Sequence, residues 1–148
     1  MTHEDKELLL QDLSARLPYG VIVKYKSREG EGNAKITSGN IGYVTELDDG
    51  WWDECKPYLR PMSSMTEEEK EDFYQNVLDM DIEDVRYEND GKLPLPYNQK
   101  DKFIWFENIY LDNTFAVIDW LNAHHFDYRG LIPKGLAISV NKNNNPYK

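Results

Sequence analysis

The fold is decided by HEDKELLLQDLSARLPYGVIVKY (residues 3–25), in which a helical pattern changes abruptly into a strand pattern. Leu9, Leu13 and Leu17 recur every four residues, the spacing of one face of an amphipathic helix. The Pro-Tyr-Gly at 18–20 ends that pattern. The residues that follow are β-branched or aromatic, which favours a strand. The sequence therefore predicts an N-terminal helix followed at once by a strand.

Further strands are predicted on the C-terminal side of this stretch. Short β-branched or aromatic runs are separated by residues that favour turns, among them the Asp-Asp-Gly before two tryptophans. The predicted strands lie at 21–25, 34–38, 41–47, 103–111 and 136–140. Short strands at this spacing indicate an antiparallel sheet of four to six strands.

The middle of the chain carries most of its negative charge. Residues 67–90 contain eleven acids and two bases, a net charge of −9, and the whole chain has a net charge of −10. Thr66 and Glu69 fit a capping box, so an acidic helix is predicted to begin there. Another helix is predicted from Thr114 to about His124. We therefore expect an α+β fold, with an N-terminal, an acidic middle and a C-terminal helix packed on one face of the sheet.

Length and composition predict one domain. The chain has 148 residues, of which 40% are hydrophobic, enough to build one core. We expect this domain to span 1–140 and a frayed polar tail to occupy 141–148.

The chain carries a single cysteine, Cys55, which excludes an intrachain disulfide and favours a reducing compartment. We expect an inert thiol there. The first residues are acidic where a signal peptide is basic, and their apolar run is too short to span a membrane. These features predict a cytoplasmic protein that does not enter a membrane.

The strongest cluster of side chains that could carry chemistry lies at His124, His125, Asp127 and Arg129. Imidazoles and a carboxylate suit a metal site or acid–base catalysis. Adjacent histidines on a helix point about 100° apart, however, which makes a shared metal difficult. The preferred interpretation is that these residues end a helix and form the turn after it. No cofactor or metal is expected, and a metal or acid–base site is the alternative.

The candidate interaction residues are aromatic and acidic. They are Trp51, Trp52, Glu67, Glu68, Glu71 and Asp72. Two adjacent aromatic residues in a strand point to opposite faces, so one tryptophan could anchor an interface. The acidic helix could be a solvated face, a docking surface for a basic protein, or a mimic of DNA phosphates.

Three blocks of sequence resemble a known family. They are MTHEDKELLLQDLSARLPYGV (1–21), KPYLRPMSSMTEEEK (56–70) and DWLNAHHFDYRGLIPKGLAI (119–138). They are similar to a family of small uncharacterised proteins of Bacteroides-group gut anaerobes, associated with phages and mobile elements. The resemblance implies a bacterial cytoplasmic setting and a small protein that binds host or phage machinery. It implies no catalytic residue.

These patterns together predict a non-enzymatic protein-interaction module. The partner is expected to be a protein, a second copy of the chain included. Direct nucleic-acid binding is not expected, because it requires clusters of Lys and Arg. The alternatives are an enzyme or metal-binding protein built on the histidine cluster, and an acidic DNA mimic.

Overall fold

Helices and short strands alternate along the computed structural model, which describes residues 1–45, 52–98, 102–103 and 111–148. The helices are α1 (His3–Ala15), α2 (Gly42–Thr45), α3 (Glu67–Asp72), α4 (Ile82–Glu88) and α5 (Leu111–Ala123). The strands are β1 (Ile22–Ser27), β2 (Gly30–Lys35), β3 (Glu54–Leu59), β4 (Tyr97–Asn98), β5 (Lys102–Phe103) and β6 (Ile138–Ser139). The α+β class is confirmed.

Contacts divide the chain into two compact units. Unit 1 contains residues 1–61 and 125–148, and unit 2 contains the intervening residues 62–124. The single domain predicted over 1–140 stays a prediction, because a division into two contact units does not show whether either unit folds on its own.

Unit 1 contains a four-stranded sheet with the strand order β2-β1-β3-β6. β1 pairs in antiparallel fashion with β2, which lies at Gly30–Lys35 and not at the predicted 34–38, and with β3, which was not predicted. The pairing of β3 with β6 is parallel, with Tyr58 opposite Ile138, so the sheet is mixed and not wholly antiparallel. Parallel neighbours need a long crossover, and here the intervening chain includes the whole of unit 2.

Some predicted strands differ from the structure. Residues 42–45 form the short helix α2 where a strand over 41–47 was predicted, and residues 46–47 lie outside the described part. The strand β3 was missed because Pro57 lowers the strand propensity of that stretch. Of the predicted strand 103–111, residues 104–110 are not described.

The core of unit 1 lies between α1 and the sheet. The helix α1 begins at a capping box, in which the Thr2 hydroxyl accepts from the amide of Asp5 and the Asp5 carboxylate accepts from the amide of Thr2. Residues from α1, β1, β3 and the C-terminal segment then pack as one hydrophobic cluster. It includes Leu9, Leu13, Val21, Val23, Ile36, Cys55, Leu59, Leu131 and Leu136.

The polar tail is anchored to the sheet by Tyr147, which corrects the expectation of frayed ends. Its hydroxyl donates to the carbonyl of Tyr58 (2.7 Å) and accepts from the amide of Ile22 (3.1 Å). Residues 144–147 are half-buried. One phenol thereby satisfies backbone groups of two neighbouring strands.

Unit 2 contains the acidic helix and the C-terminal helix. The capping box predicted at Thr66 is confirmed, and α3 continues into one π-helical turn, Phe73–Val77. Phe73 packs edge-on against Trp120 of α5, with ring centres 5.1 Å apart. The helix α4 was not predicted, although Asp81 caps its start by accepting from the amide of Glu83.

Candidate functional site

The two histidines end helix α5 and contact different aromatic rings. His124 stacks on Trp120 of the same helix, with ring centres 4.0 Å apart, and its Nδ1 lies 2.8 Å from the Trp120 carbonyl oxygen. His125 stacks on Tyr147, with ring centres 3.7 Å apart. His125 has a φ of 62°, in the left-handed region in which helices commonly stop. The boundary between the two units falls between these residues.

Asp127 forms a backbone turn. Asp127 is 6% exposed, and its carboxylate accepts hydrogen bonds from the amides of Leu131 and Ile132, both at 2.9 Å. Both of its oxygens are thus used by the chain itself. This arrangement matches the turn-forming role preferred from the sequence.

Arg129 belongs to a buried ion network that the sequence did not reveal. Its Nη1 donates to Asp12 Oδ1 (3.0 Å) and to the Tyr128 hydroxyl (2.8 Å). Asp12 Oδ2 accepts from Arg16 Nε (2.8 Å), and the Arg16 Nη2 donates to the Phe126 carbonyl (2.6 Å). Asp12 and Arg16 are fully buried. The i,i+4 spacing of Asp12 and Arg16 on a helix could have indicated an ion pair. The spacing does not show that the pair is buried.

We expect Asp127→Ala to lower the free energy of unfolding by about 2–3 kcal/mol, because two backbone amides lose a charged acceptor. Asp127→Asn keeps one acceptor oxygen and should lose about half as much. Chemical denaturation followed by circular dichroism measures both. A fully stable Asp127→Ala variant would contradict a structural role and reopen the acid–base alternative.

The predicted acidic residues of α3 are partly paired. Arg86 of α4 lies 2.6 Å from Glu71 and 3.6 Å from Glu67, while Glu68 is exposed. The Asp72 carboxylate accepts from Asn76 Nδ2 and Trp120 Nε1, both at 2.7 Å. These hydrogen bonds hold the pKa of Asp72 below its usual value. Much of the negative charge on α3 is therefore used within unit 2.

Trp52, one of the two tryptophans proposed as an interface anchor, is buried. Its ring is 6% exposed, stacks on Tyr25 at 4.8 Å and meets the edge of Tyr43 at 5.4 Å. A side chain enclosed in this way has no free surface for a partner. Trp51 lies outside the described residues.

The most exposed aromatic ring among the described residues is Tyr87 of α4, at 89%. Glu83 and Asp84 precede it by four and three positions, so all three share one helix face. Glu83, Asp84 and Glu88 are also exposed. We call Glu83, Asp84, Tyr87 and Glu88 the α4 surface. It was missed because the helix itself was not predicted.

Two concave surfaces of unit 1 are lined by residues other than those of the histidine cluster. A shallow cavity of about 650 Å³ is lined by residues 17–20 and 35–38, and a hollow of about 200 Å³ lies on the sheet. Within the described ranges, no three His, Cys, Asp or Glu side chains are grouped closely enough to hold a metal ion. Among the helices that the structure describes, none has the length and apolar character needed to cross a membrane.

Comparison with known proteins gave no match: none of the family models, curated proteins or solved structures compared with this chain is similar to it.

Proposed function

We propose that the chain is a non-enzymatic interaction module that binds a basic protein segment through the α4 surface. The observation that carries this proposal is a tyrosine ring, 89% exposed, on a helix face that it shares with two carboxylates. Large aromatic rings on a monomer surface are typical interface anchors.

The chemistry of this surface selects a cationic partner. Guanidinium and ammonium groups are attracted to the face of an aromatic ring. The neighbouring carboxylates attract the same charge, Asp84 more than Glu83, which lies 3.5 Å from Arg86 Nη1. The excess of acids over bases across residues 67–90 adds a long-range field that raises the rate of encounter. A basic segment of a protein fits these properties better than a neutral or acidic one.

The contacts of the histidine cluster support this choice over the enzymatic alternative. Asp127 holds two backbone amides, and Arg129 is bound to Asp12 and Tyr128. Groups occupied in this way are not presented to a substrate. A reducing, cytoplasmic compartment stays part of the proposal on the strength of the single cysteine. Kinship with the Bacteroides-group family also stays a proposal.

The proposal is tested with a fluorescently labelled arginine-rich peptide of about ten residues, titrated by fluorescence anisotropy at low and moderate salt. We expect Tyr87→Ala to weaken binding about fivefold, the size of one cation–π contact, and Tyr87→Phe to keep most of the affinity. Glu83→Gln with Asp84→Asn should also weaken binding. The loss of affinity should be larger at low salt than at moderate salt, because salt screens the attraction between exposed charges.

Two matched variants separate this surface from general charge. Phe115→Ala removes another exposed aromatic ring of unit 2, 65% exposed, and Glu29→Gln removes one exposed acid from unit 1. Both should bind the peptide as the unaltered chain does. Equal weakening by Phe115→Ala and Tyr87→Ala, or no effect of Tyr87→Ala, would overturn the proposed surface.

A further inference from the structure

A hollow on the unit 1 sheet brings three lysines together. Lys24, Lys26 and Lys56 line it with Glu54 and Ile138, and its volume is about 200 Å³. The three lysines and Glu54 alternate along β1 and β3 with the buried Val23 and Cys55. They therefore lie on the face of the sheet opposite to the core. The hollow does not involve the α4 surface.

The register of the sheet places like charges against each other in this hollow. Lys24 of β1 lies directly opposite Lys56 of β3 in the antiparallel pair. Like charges directly opposite one another destabilise a sheet. A ligand of opposite charge would convert this unfavourable pair into a favourable one.

The single carboxylate in the lining, Glu54, does not neutralise the positive charge of the three lysines. Glu54 lies 3.5 Å from Lys26 and 3.4 Å from Lys56. Burial would raise the pKa of Glu54, but the two lysines outweigh it and hold that pKa below its usual value, so Glu54 is ionised. Lys24 forms no ion pair within the residues that the structure describes. The lining therefore carries a net charge of +2 on a chain whose total is −10.

The size of the hollow limits what can enter it. Pockets for drug-sized ligands occupy about 300–1,000 Å³, and this one is smaller. It accommodates a single compact group and not a whole coenzyme. A group with several oxygens can accept from ammonium donors on two strands at once.

We propose that this hollow binds a doubly charged oxyanion, a phosphate group, with Lys24 and Lys56 as its ligands on neighbouring strands. The phosphate is either the free ion or the head of a small phosphomonoester whose remainder contacts Ile138. This site is independent of the proposed protein-docking function.

The test is calorimetric titration of the full chain with inorganic phosphate and, separately, with glycerol phosphate, at constant ionic strength set by chloride. Lys24→Gln with Lys56→Gln should weaken binding about tenfold, and Glu54→Gln, which removes the competing carboxylate, should strengthen it about threefold. Tighter binding of glycerol phosphate identifies a phosphomonoester head group, and tighter binding of the free ion identifies inorganic phosphate.

Matched charge changes elsewhere provide the control. Glu68→Gln changes an exposed residue of unit 2 by the same charge as Glu54→Gln, and Lys92→Gln removes there one of the two positive charges that the lysine variant removes; both should leave the affinity unchanged. Opposite responses of the lysine and Glu54 variants do not arise from loss of folding, because unfolding would weaken binding in both. Absence of phosphate binding above that of chloride, or equal weakening by Lys92→Gln, would overturn the site.

Discussion

Asp12→Ala should lower the free energy of unfolding by about 3–5 kcal/mol, the largest loss that we expect from one polar substitution in this chain. Asp12 bridges Arg16, fully buried beside it, and Arg129 on the other side. Without Asp12, the Arg16 guanidinium keeps its charge in an interior that water does not reach. Denaturation by urea, followed by tryptophan fluorescence and circular dichroism, measures the change.

Two comparisons make this result specific. Gln11→Ala changes the exposed neighbour of Asp12 in α1 and should alter stability by less than about 0.5 kcal/mol. Asp12→Leu combined with Arg16→Met removes both buried charges and should be less damaging than Asp12→Ala. If Asp12→Ala proves no worse than Gln11→Ala, the buried network does not stabilise unit 1.

Alkylation of Cys55 at pH 8 should be at least about a thousandfold slower in the folded chain than in the denatured chain. Burial raises the pKa of this thiol from 9.0 to about 12, so the thiolate that reacts with iodoacetamide falls by three orders of magnitude. Its place in β3, opposite Tyr25 and with no exposed surface, also blocks the reagent. Mass spectrometry of timed samples measures both rates.

An exposed thiol on the same fold supplies the control. Ser38→Cys in a Cys55→Ala background places a cysteine at an exposed position and should react at the rate of a free thiol. Rapid modification of native Cys55, within tenfold of the denatured rate, would mean that Lys56 activates the thiol.

Local signals predicted the helices α1, α3 and α5 but missed α2 and α4, and they predicted the long-range pairings poorly. The cap at Thr66 was visible because a capping box involves residues three positions apart. The parallel neighbour of β3 was not visible, because nothing near Tyr58 in sequence indicates that Ile138 lies beside it. Sequence patterns report periodicity, whereas strand order depends on which distant faces pack together.

The candidate sites show the same limit. The alternation in VIVKYK places Lys24 and Lys26 on one face, but their meeting with Lys56 required the strand β3, which Pro57 concealed. The acidic composition around Tyr87 was evident, yet its exposure followed only from the position of α4. The sequence gives the charge of each residue directly, but it does not give the burial of that residue, which depends on the fold.

The interrupted layout of unit 1 has a consequence for synthesis. A ribosome releases β1, β2 and β3, and then all of unit 2, before it delivers Phe126 and β6. Until then the nascent chain exposes one edge of β3, and Arg16 lacks its carbonyl acceptor. An open strand edge invites pairing with other chains. A stalled or truncated product that stops within α5 should therefore aggregate or recruit chaperones, even though every residue of β1–β3 is already present.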